Sequence, residues 1–164
     1  MRKLFIIVNE VSFFLSHRKD IALEAMREGY DVTIIANDNI GKGDYIISLG
    51  LKFIDLPINK TGLNLRDEVK TFLFISRLIR QERPDIVHLV GMKIILWGGL
   101  AARLNGVKGI VSAVSGLGVM FSPEYCRGFK KLISKGVLLV MRYIHRRKGT
   151  YCIFHNGIVR QKIQ

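Results

Sequence analysis

Short runs of β-branched and aliphatic residues recur along this sequence, and a segment with helical periodicity follows most of them. Ile86–Val90 and Gly109–Val114 are largely apolar, and each comes soon after a helix stop, Pro84 in one case and Asn105-Gly106 in the other. Strands without a polar face are typical of a parallel sheet that helices cover on both sides. With right-handed crossovers, the pattern predicts an α/β fold with a doubly wound, Rossmann-like parallel sheet.

The predicted elements alternate along the chain. Strands are expected at Lys3–Val8, Asp31–Ala36, Lys52–Leu56, Ile86–Val90, Gly109–Val114 and Tyr151–Phe154. Helices are expected at Ser16–Glu28 (with Ser16 as its cap), Tyr45–Leu49, Leu65–Gln81, Ile94–Leu104 and Phe129–Arg147. Ligands of such sheets bind beyond the carboxyl ends of the strands. The candidate binding loops are therefore Asn9–Leu15, Gly91–Lys93 and Ser115–Phe121.

The charge of the chain is concentrated in its second half. The 164 residues, the length of one domain, include 26 Lys and Arg against 13 Asp and Glu, a net charge of +13. Residues 1–85 hold 12 acidic and 13 basic side chains, whereas residues 86–164 hold 13 basic side chains and a single acid, Glu124. The second half should therefore attract a polyanion such as nucleic acid, anionic lipid or a phosphorylated substrate.

Several classes of protein are excluded by simpler features. The apolar run Leu4–Val8 is too short for a signal peptide, and no stretch approaches the ~18 uncharged apolar residues of a membrane-spanning helix. Cys126 and Cys152 fit neither a metal-binding spacing nor a disulfide framework. Two free thiols are expected, with a bridge between them as the alternative, and no metal site is predicted.

The segment from Asn9 to Arg18 is the first candidate site. A helix that starts here would present free N–H groups and a positive dipole end to an anion, and His17 and Arg18 would add charge. The alternative is a purely structural role, in which Phe13–Leu15 attach the start of the helix to the core and His17 is solvated. The segment contains no glycine, so it is not a dinucleotide-binding fingerprint.

Two further loops carry weaker signals. His88 lies inside a predicted strand, where a satisfied core histidine is the alternative to a ligand-binding one. Lys93 at a helix start is unfavourable for the helix dipole, which suggests a bound anion. In the loop after the fifth strand, two glycines would let the backbone approach a ligand, or form an ordinary turn. The candidates there are Ser115, Gly116 and Gly118.

The long helix near the end of the chain is amphipathic and basic. Cations flank its apolar positions, a pattern that is typical of helices on anionic membrane surfaces. A core helix with a solvated basic rim is the alternative. The candidate membrane-contacting residues are Lys130, Lys131, Lys135, Arg142, Arg146 and Arg147.

Four segments together resemble the N-terminal half of family 4 glycosyltransferases, specifically the group that extends undecaprenyl-diphosphate-linked sugars for bacterial surface polysaccharides and glycoprotein glycans. The segments are Asn9 with Phe13-Phe14-Leu15-Ser16-His17-Arg18, then Val87–Lys93, then Gly98–Leu104, then Ser115-Gly116-Leu117-Gly118. The resemblance implies a GT-B enzyme in which two Rossmann-like domains face each other across a cleft. The N-terminal domain of that family binds the acceptor and often lies on the membrane.

The resemblance implies a retaining, metal-independent glycosyltransferase, with hexosyl or N-acetylhexosaminyl transfer. It implies that the donor, a UDP-linked sugar, binds a C-terminal domain with paired glutamates, which these 164 residues lack. That domain would be supplied in cis or in trans, and this chain alone is expected to be inactive. The resemblance also implies that the protein is located in the cytoplasm, peripherally bound to the inner face of the cell membrane. No cofactor is expected besides the donor.

The residues and the resemblance together predict a site for a lipid-diphosphate-linked sugar acceptor, while no catalytic residue is identified. Its predicted members are Asn9, Phe13, Ser16, His17, Arg18, His88, Lys93, Ser115, Gly116 and Gly118. The competing hypothesis is a basic module that binds nucleic acid or another anion without catalysis. The basic helix offers only two aromatic residues, Phe129 and Tyr143, and no nucleic-acid motif is recognisable, so nucleic acid is not the expected partner.

Overall fold

One parallel sheet organises the part of the chain that the computed structural model describes, residues 1–58, 65–114, 129–146 and 148–154. Its strands are β1 (Arg2–Glu10), β2 (Tyr30–Asn37), β3 (Lys52–Asp55), β4 (Ile86–Val90), β5 (Gly109–Val114) and β6 (Thr150–Phe154). The helices are α1 (Val11–His17), α2 (Lys19–Arg27), α3 (Gly43–Ser48), α4 (Leu65–Glu82), α5 (Met92–Leu104) and α6 (Phe129–His145).

The strand order β3-β2-β1-β4-β5-β6 is that of a doubly wound sheet. Every neighbouring pair is parallel. The order changes direction between β1 and β4, so the connections that leave these two strands diverge from a common edge. The predicted α/β fold with a Rossmann-like parallel sheet is confirmed.

Helices bury both faces of the sheet, in agreement with the largely apolar strands. Phe5 and Leu89 lie on the face that α4, α5 and α6 cover, and Ile144 of α6 is fully buried there. Ile6 lies on the opposite face with Phe14 of α1. The period of two along each strand thus sends alternate side chains into two separate hydrophobic clusters.

The prediction of one helix from Ser16 to Glu28 was wrong. The structure begins a helix at Val11, because Val11 and Phe14 pack into the core directly after β1. Ser16 therefore lies in the last turn of α1, where its hydroxyl donates to the carbonyl of Ser12 at 2.9 Å instead of capping a helix start. Arg18, at φ −129° and ψ −7°, separates α1 from α2.

The other predicted boundaries agree with the structure to within about two residues, and β4 and β5 agree fully. Gly149 lies in the turn between α6 and β6, in a left-handed conformation with φ +90°. A Cβ there would lie 2.5 Å from the carbonyl oxygen of Lys108, so the turn into β6 admits only glycine.

Candidate functional site

A cavity of about 370 Å³ opens at the carboxyl edge of the sheet, between the ends of β1 and β4. This is the point where the strand order reverses, and parallel α/β sheets bind their ligands there. The cavity is lined by Asn9, Glu10, Ser12, Phe13, Ser16, Val90 and Gly91. Of the predicted acceptor-binding residues, Asn9, Phe13 and Ser16 therefore meet at one place.

Gly91 shapes the floor of the cavity where β4 turns into α5. Its φ of +92° is left-handed, and a Cβ would lie 3.0 Å from Nδ2 of Asn9. A side chain at this position would thus be strained and would also push Asn9 away. The Oδ1 atom of Asn9 is buried and accepts no hydrogen bond from any residue that the structure describes.

A hydrogen-bond network joins two residues that line the cavity, Glu10 and Ser12, and Asn39 at its centre was not predicted from the sequence. Asn39 follows β2 and accepts a hydrogen bond from the backbone N–H of Ser12 at 3.2 Å. It donates to the carboxylate of Glu10 at 3.1 Å and to the hydroxyl of Ser12 at 3.0 Å. Only the adjacency of β2 to β1 could have pointed to it, and a lone Asn in a turn carries no such signal.

Phe13 and His17 form a stacked pair on the outer side of α1. Their ring centroids are 4.5 Å apart and their planes differ by 9°. The Nδ1 atom of His17 lies 2.6 Å from the hydroxyl of Ser16. Since the Ser16 hydroxyl proton is directed to the carbonyls of the preceding turn, its oxygen is left to accept from Nδ1–H.

Arg18 is a buried cation at the junction of α1 and α2. Only 8% of the residue is exposed. One terminal N–H donates to the carbonyl of His17 at 3.3 Å, whereas Nε has no hydrogen-bond partner among the described residues. Burial lowers the pKa of the Arg18 guanidinium, which nevertheless stays protonated because arginine starts so high. A buried charge with incomplete hydrogen bonding is costly, and an incoming anion would lower that cost.

His88 of β4 lies within the electrostatic reach of Arg18. It is also only 8% exposed, and its Nε2 atom has no partner among the described residues. Burial and, secondarily, the charge of Arg18 lower the pKa of His88 to about 4. The imidazole is therefore neutral at physiological pH, with one N–H donor and one acceptor nitrogen. Within the described residues, Nε2 of His88 therefore lacks the partner that a satisfied core histidine would have.

Lys93 lies in the first turn of α5, but its ammonium contacts another helix. Its Nζ atom is 2.6 Å from a carboxylate oxygen of Glu68 on α4. The other oxygen of Glu68 accepts a hydrogen bond from the indole N–H of Trp97. Lys93 thus neutralises a buried carboxylate and joins α4 to α5 near the carboxyl edge.

The predicted membrane-contacting residues that the structure describes lie on one side of α6. Lys135, Arg142 and Arg146 are all exposed, and exposed Leu139 and Tyr143 lie between them on the same helical face. The backbone of Lys130 and Lys131 belongs to α6. Arg147 lies outside the described residues, as do Ser115, Gly116, Gly118 and Cys126.

The remaining expectations concern metals, thiols and membrane spans. Among the described residues, no group of three or more His, Cys, Asp or Glu side chains is arranged to hold a metal ion. Cys152 is a free thiol, and burial raises its pKa to about 11, so it stays protonated. In the same part of the chain, no helix is long and apolar enough to cross a membrane.

Sequence comparisons relate this chain to glycosyltransferases. The family described as glycosyl transferase 4-like matches residues 3–145. A curated relative from Escherichia coli, UDP-Gal:alpha-D-GlcNAc-diphosphoundecaprenol alpha-1,3-galactosyltransferase, is 26% identical over 117 residues, which cover 71% of this chain and 27% of the relative. The chain thus spans about a quarter of the length of that protein.

Solved structures support the same fold. MurG from Acinetobacter baumannii superposes with a TM-score of 0.58 at 16% identity, over 84% of this chain and 39% of that one. The UDP-GlcNAc 2-epimerase of Methanocaldococcus jannaschii superposes with a TM-score of 0.63 at 18% identity, over 98% of this chain and 41% of that one. The fold is therefore that of the N-terminal half of a GT-B protein, as the sequence resemblance implied.

Proposed function

Because the chain belongs to the glycosyl transferase 4-like family, we propose that it is the acceptor-binding domain of a glycosyltransferase and holds a lipid-diphosphate-linked sugar at the carboxyl edge of its sheet. The name of the Escherichia coli relative describes an acceptor of this chemistry. The diphosphate supplies negative charge, the sugar supplies hydroxyls, and the lipid fixes the acceptor to a membrane. Each of these three parts has a counterpart on the described surface.

The observation that carries the proposal is the buried, incompletely satisfied guanidinium of Arg18, whose charge also acts on the neutral imidazole of His88. A diphosphate would accept hydrogen bonds from Arg18 and from an N–H of the imidazole, and it would compensate the buried charge. Lys93 is not assigned this role, because its ammonium already contacts Glu68. Ser115, Gly116 and Gly118 would add backbone donors to the same group.

The cavity at the carboxyl edge suits the sugar, and neither Arg18 nor His88 is among the residues that line it. The unsatisfied amide oxygen of Asn9 would accept from a sugar hydroxyl, and the Ser16–His17 pair would hold another. Phe13 offers an apolar face to the C–H side of a sugar ring. This combination of few polar groups and one aromatic surface is usual for a small-molecule site.

The basic face of α6 would bring the domain to an anionic membrane on its cytoplasmic side. Lys135, Arg142 and Arg146 would meet lipid headgroups, and Leu139 and Tyr143 would enter the interface between them. Lys130, Lys131 and Arg147 complete the proposed set. A UDP-linked donor would bind a second domain across the cleft, and transfer would retain the anomeric configuration.

Binding of a short-chain polyprenyl diphosphate-linked N-acetylglucosamine in detergent micelles tests the proposal. Replacing Arg18 with Gln should weaken the affinity by about tenfold or more, because a hydrogen bond to a charged group contributes about 1.5–3 kcal/mol. The free Arg18→Gln chain should be no less stable to urea than the original, since the substitution removes a buried charge that lacks a full set of partners. His88→Gln should weaken binding as well.

Arg27→Gln is the matched control, because Arg27 is an exposed arginine on the neighbouring α2, in an ion pair with Glu24. It should leave the affinity unchanged. The proposal fails if Arg18→Gln and Arg27→Gln bind the acceptor equally well. It also fails if a polyprenyl-free N-acetylglucosamine competes as strongly as the diphosphate compound.

A further inference from the structure

Glu10 brings a carboxylate to the cavity at the carboxyl edge of the sheet. It is the last residue of β1, and the other described residues that line the cavity carry no charge: Asn9, Ser12, Phe13, Ser16, Val90 and Gly91. Glu10 directly precedes α1 but makes no side-chain cap hydrogen bond to it. Capping of α1 therefore does not explain why a carboxylate stands at this position.

Asn39 holds this carboxylate in one orientation. The backbone N–H of Ser12 donates to Oδ1 of Asn39 at 3.2 Å, so the amide nitrogen of Asn39 is the end that turns towards Glu10. This Nδ2 atom donates to Oε2 of Glu10 at 3.1 Å, and the hydroxyl of Ser12 donates to the same oxygen at 3.2 Å. A carboxylate can accept about four hydrogen bonds, so these two orient Glu10 without exhausting its capacity.

The polar groups of the cavity are mainly acceptors. An ionised Glu10 can only accept hydrogen bonds, and the buried Oδ1 of Asn9 accepts none from the described residues. The Ser16 hydroxyl directs its proton to the carbonyls of the preceding turn, which leaves its oxygen as an acceptor. A ligand that brings donors, as sugar hydroxyls do, complements this lining. An anion brings acceptors alone, and its charge would lie beside that of Glu10, an arrangement that disfavours association.

We propose that Glu10 determines the specificity of the cavity for an uncharged acceptor sugar. Its carboxylate accepts hydrogen bonds from the hydroxyls of the sugar and excludes sugars with a negative charge of their own, such as uronic acids. Asn39 is a positioning residue, because it orients the carboxylate in advance and does not itself line the cavity. This inference rests on the proposed function and adds the class of sugar that the site admits.

The diphosphate of the acceptor does not conflict with this selection. It is assigned to Arg18, a buried cation that is not among the residues lining the cavity. The charged and the uncharged part of the acceptor are thus recognised by different groups. A negative charge on the sugar itself is what Glu10 would oppose.

Two acceptors that differ only in the sugar test the inference. One is polyprenyl diphosphate-linked N-acetylglucosamine, and the other carries N-acetylglucosaminuronic acid, in which a carboxylate replaces the primary alcohol. The lipid and the diphosphate are the same in both, so the ratio of the two dissociation constants in detergent micelles reports on the sugar alone. The full 164-residue chain should bind the uncharged sugar about tenfold more tightly, or better.

Glu10→Gln should reduce this preference by about tenfold, because it removes the charge that opposes the uronate. Glutamine has the size of Glu10 and can accept from Ser12 and Asn39, so the variant should fold, and urea unfolding checks this. Asn39→Ala should weaken binding of the uncharged sugar but keep a preference of the same sign, because the carboxylate remains. A purely structural role of Glu10 would weaken both acceptors by the same factor.

The matched control is Asp55→Asn. Asp55 ends β3 at the same edge of the sheet, is exposed and does not line the cavity. Its Oδ1 atom accepts a hydrogen bond from the backbone N–H of Asp38 at 2.9 Å, which asparagine can keep. The variant removes the same charge as Glu10→Gln, but from a strand two places away from β1. It should leave the preference for the uncharged sugar unchanged.

Three results would overturn the inference. The first is equal affinity of the original chain for the two acceptors, and the second is an unchanged ratio in Glu10→Gln. The third is a loss of preference in Asp55→Asn as large as that in Glu10→Gln, because the effect would then come from the general charge of the edge. In all three cases, acceptor binding that depends on Arg18 would persist and the proposed function would stand. Binding of neither acceptor would instead refute the proposed function, and this inference with it.

Discussion

Arg18 and His88 are the residues at which stability and function conflict most clearly. Both are more than nine-tenths buried, yet each keeps a polar atom without a partner among the described residues. A sequence selected only for stability would place apolar side chains at these positions. Their retention is understandable if a ligand supplies the missing partner, because functional sites are where such local costs are tolerated.

Acid should destabilise the chain partly through His88. The pKa of His88 is about 4 in the folded chain and 6.5 as a free side chain. Below pH 6.5 the His88 side chain is therefore protonated in the unfolded chain but still neutral in the folded chain. The free energy of unfolding consequently falls as the pH is lowered, until it reaches about 4. Between pH 7 and pH 4.5 this loss amounts to about 2 kcal/mol. Urea unfolding at several pH values measures it.

The comparison for this prediction is His88→Gln, which keeps a polar side chain but does not titrate. Its free energy of unfolding should decline less over the same pH range. His145 also has a lowered pKa, mainly because it is buried, but it contributes equally to both proteins and cancels in the difference. Parallel pH profiles for the two proteins would show that His88 titrates normally in the folded chain.

At the scale of elements, α4 and α5 are joined by the contact of Lys93 and Glu68. Removing one partner of a buried ion pair costs about 3–5 kcal/mol. Lys93→Met should therefore lower the free energy of unfolding by about 3 kcal/mol, because it leaves the carboxylate of Glu68 buried beside Trp97 without its cation. Glu68→Gln should lower the free energy of unfolding by less than Lys93→Met does. The Lys93 side chain is 25% exposed, so its ammonium can be hydrated when the carboxylate is removed.

The double variant Lys93→Met/Glu68→Gln completes this cycle. It should be more stable than Lys93→Met alone, because no uncompensated charge remains. Urea unfolding of the four proteins gives the coupling energy. If the effects of the two single substitutions simply add, the contact in the structure does not contribute to stability.

A comparison of β4 with α1 shows which element bounds can be predicted from the sequence and which cannot. Ile86–Val90 was predicted to the residue, because a short apolar run between a proline and a glycine has only one compatible strand. The start of α1 was missed, because Ser16 looks like a helix cap while the actual start depends on the burial of Val11 and Phe14. That burial depends on the contact of α1 with the sheet, and the helix propensities of the residues carry no information about such a tertiary contact.

The same distinction holds for the candidate site. The proximity of Asn9, Phe13 and Ser16 could be predicted from the sequence, because the carboxyl ends of parallel strands lie at one edge of the sheet. It missed Asn39, whose role depends on the register of β2 against β1. It also did not show that Lys93 contacts Glu68, because the two residues lie on different helices and only the packing of α4 against α5 joins them.

For the whole molecule, exposed cations are numerous on one of the two helical layers. The helices α4, α5 and α6 lie on one side of the sheet, and their exposed residues are mainly cations and apolar side chains. The cavity lies at the carboxyl edge of the sheet, where α1 contributes part of its lining. A molecule with this arrangement would meet an anionic surface with one face and keep its binding edge beside it.

In a GT-B enzyme, the donor and the acceptor bind to different domains. The resemblance places the nucleotide sugar in a second domain, and the site proposed for the described cavity is an acceptor site. We therefore expect the 164-residue polypeptide to bind the lipid-linked acceptor but to transfer no sugar to it. Incubation with radiolabelled UDP-galactose and polyprenyl diphosphate-linked N-acetylglucosamine, followed by chromatography of the lipid, measures transfer. The Escherichia coli relative, whose name specifies these substrates, is the positive control. Labelled lipid with this polypeptide alone would mean that the donor, too, binds within these residues.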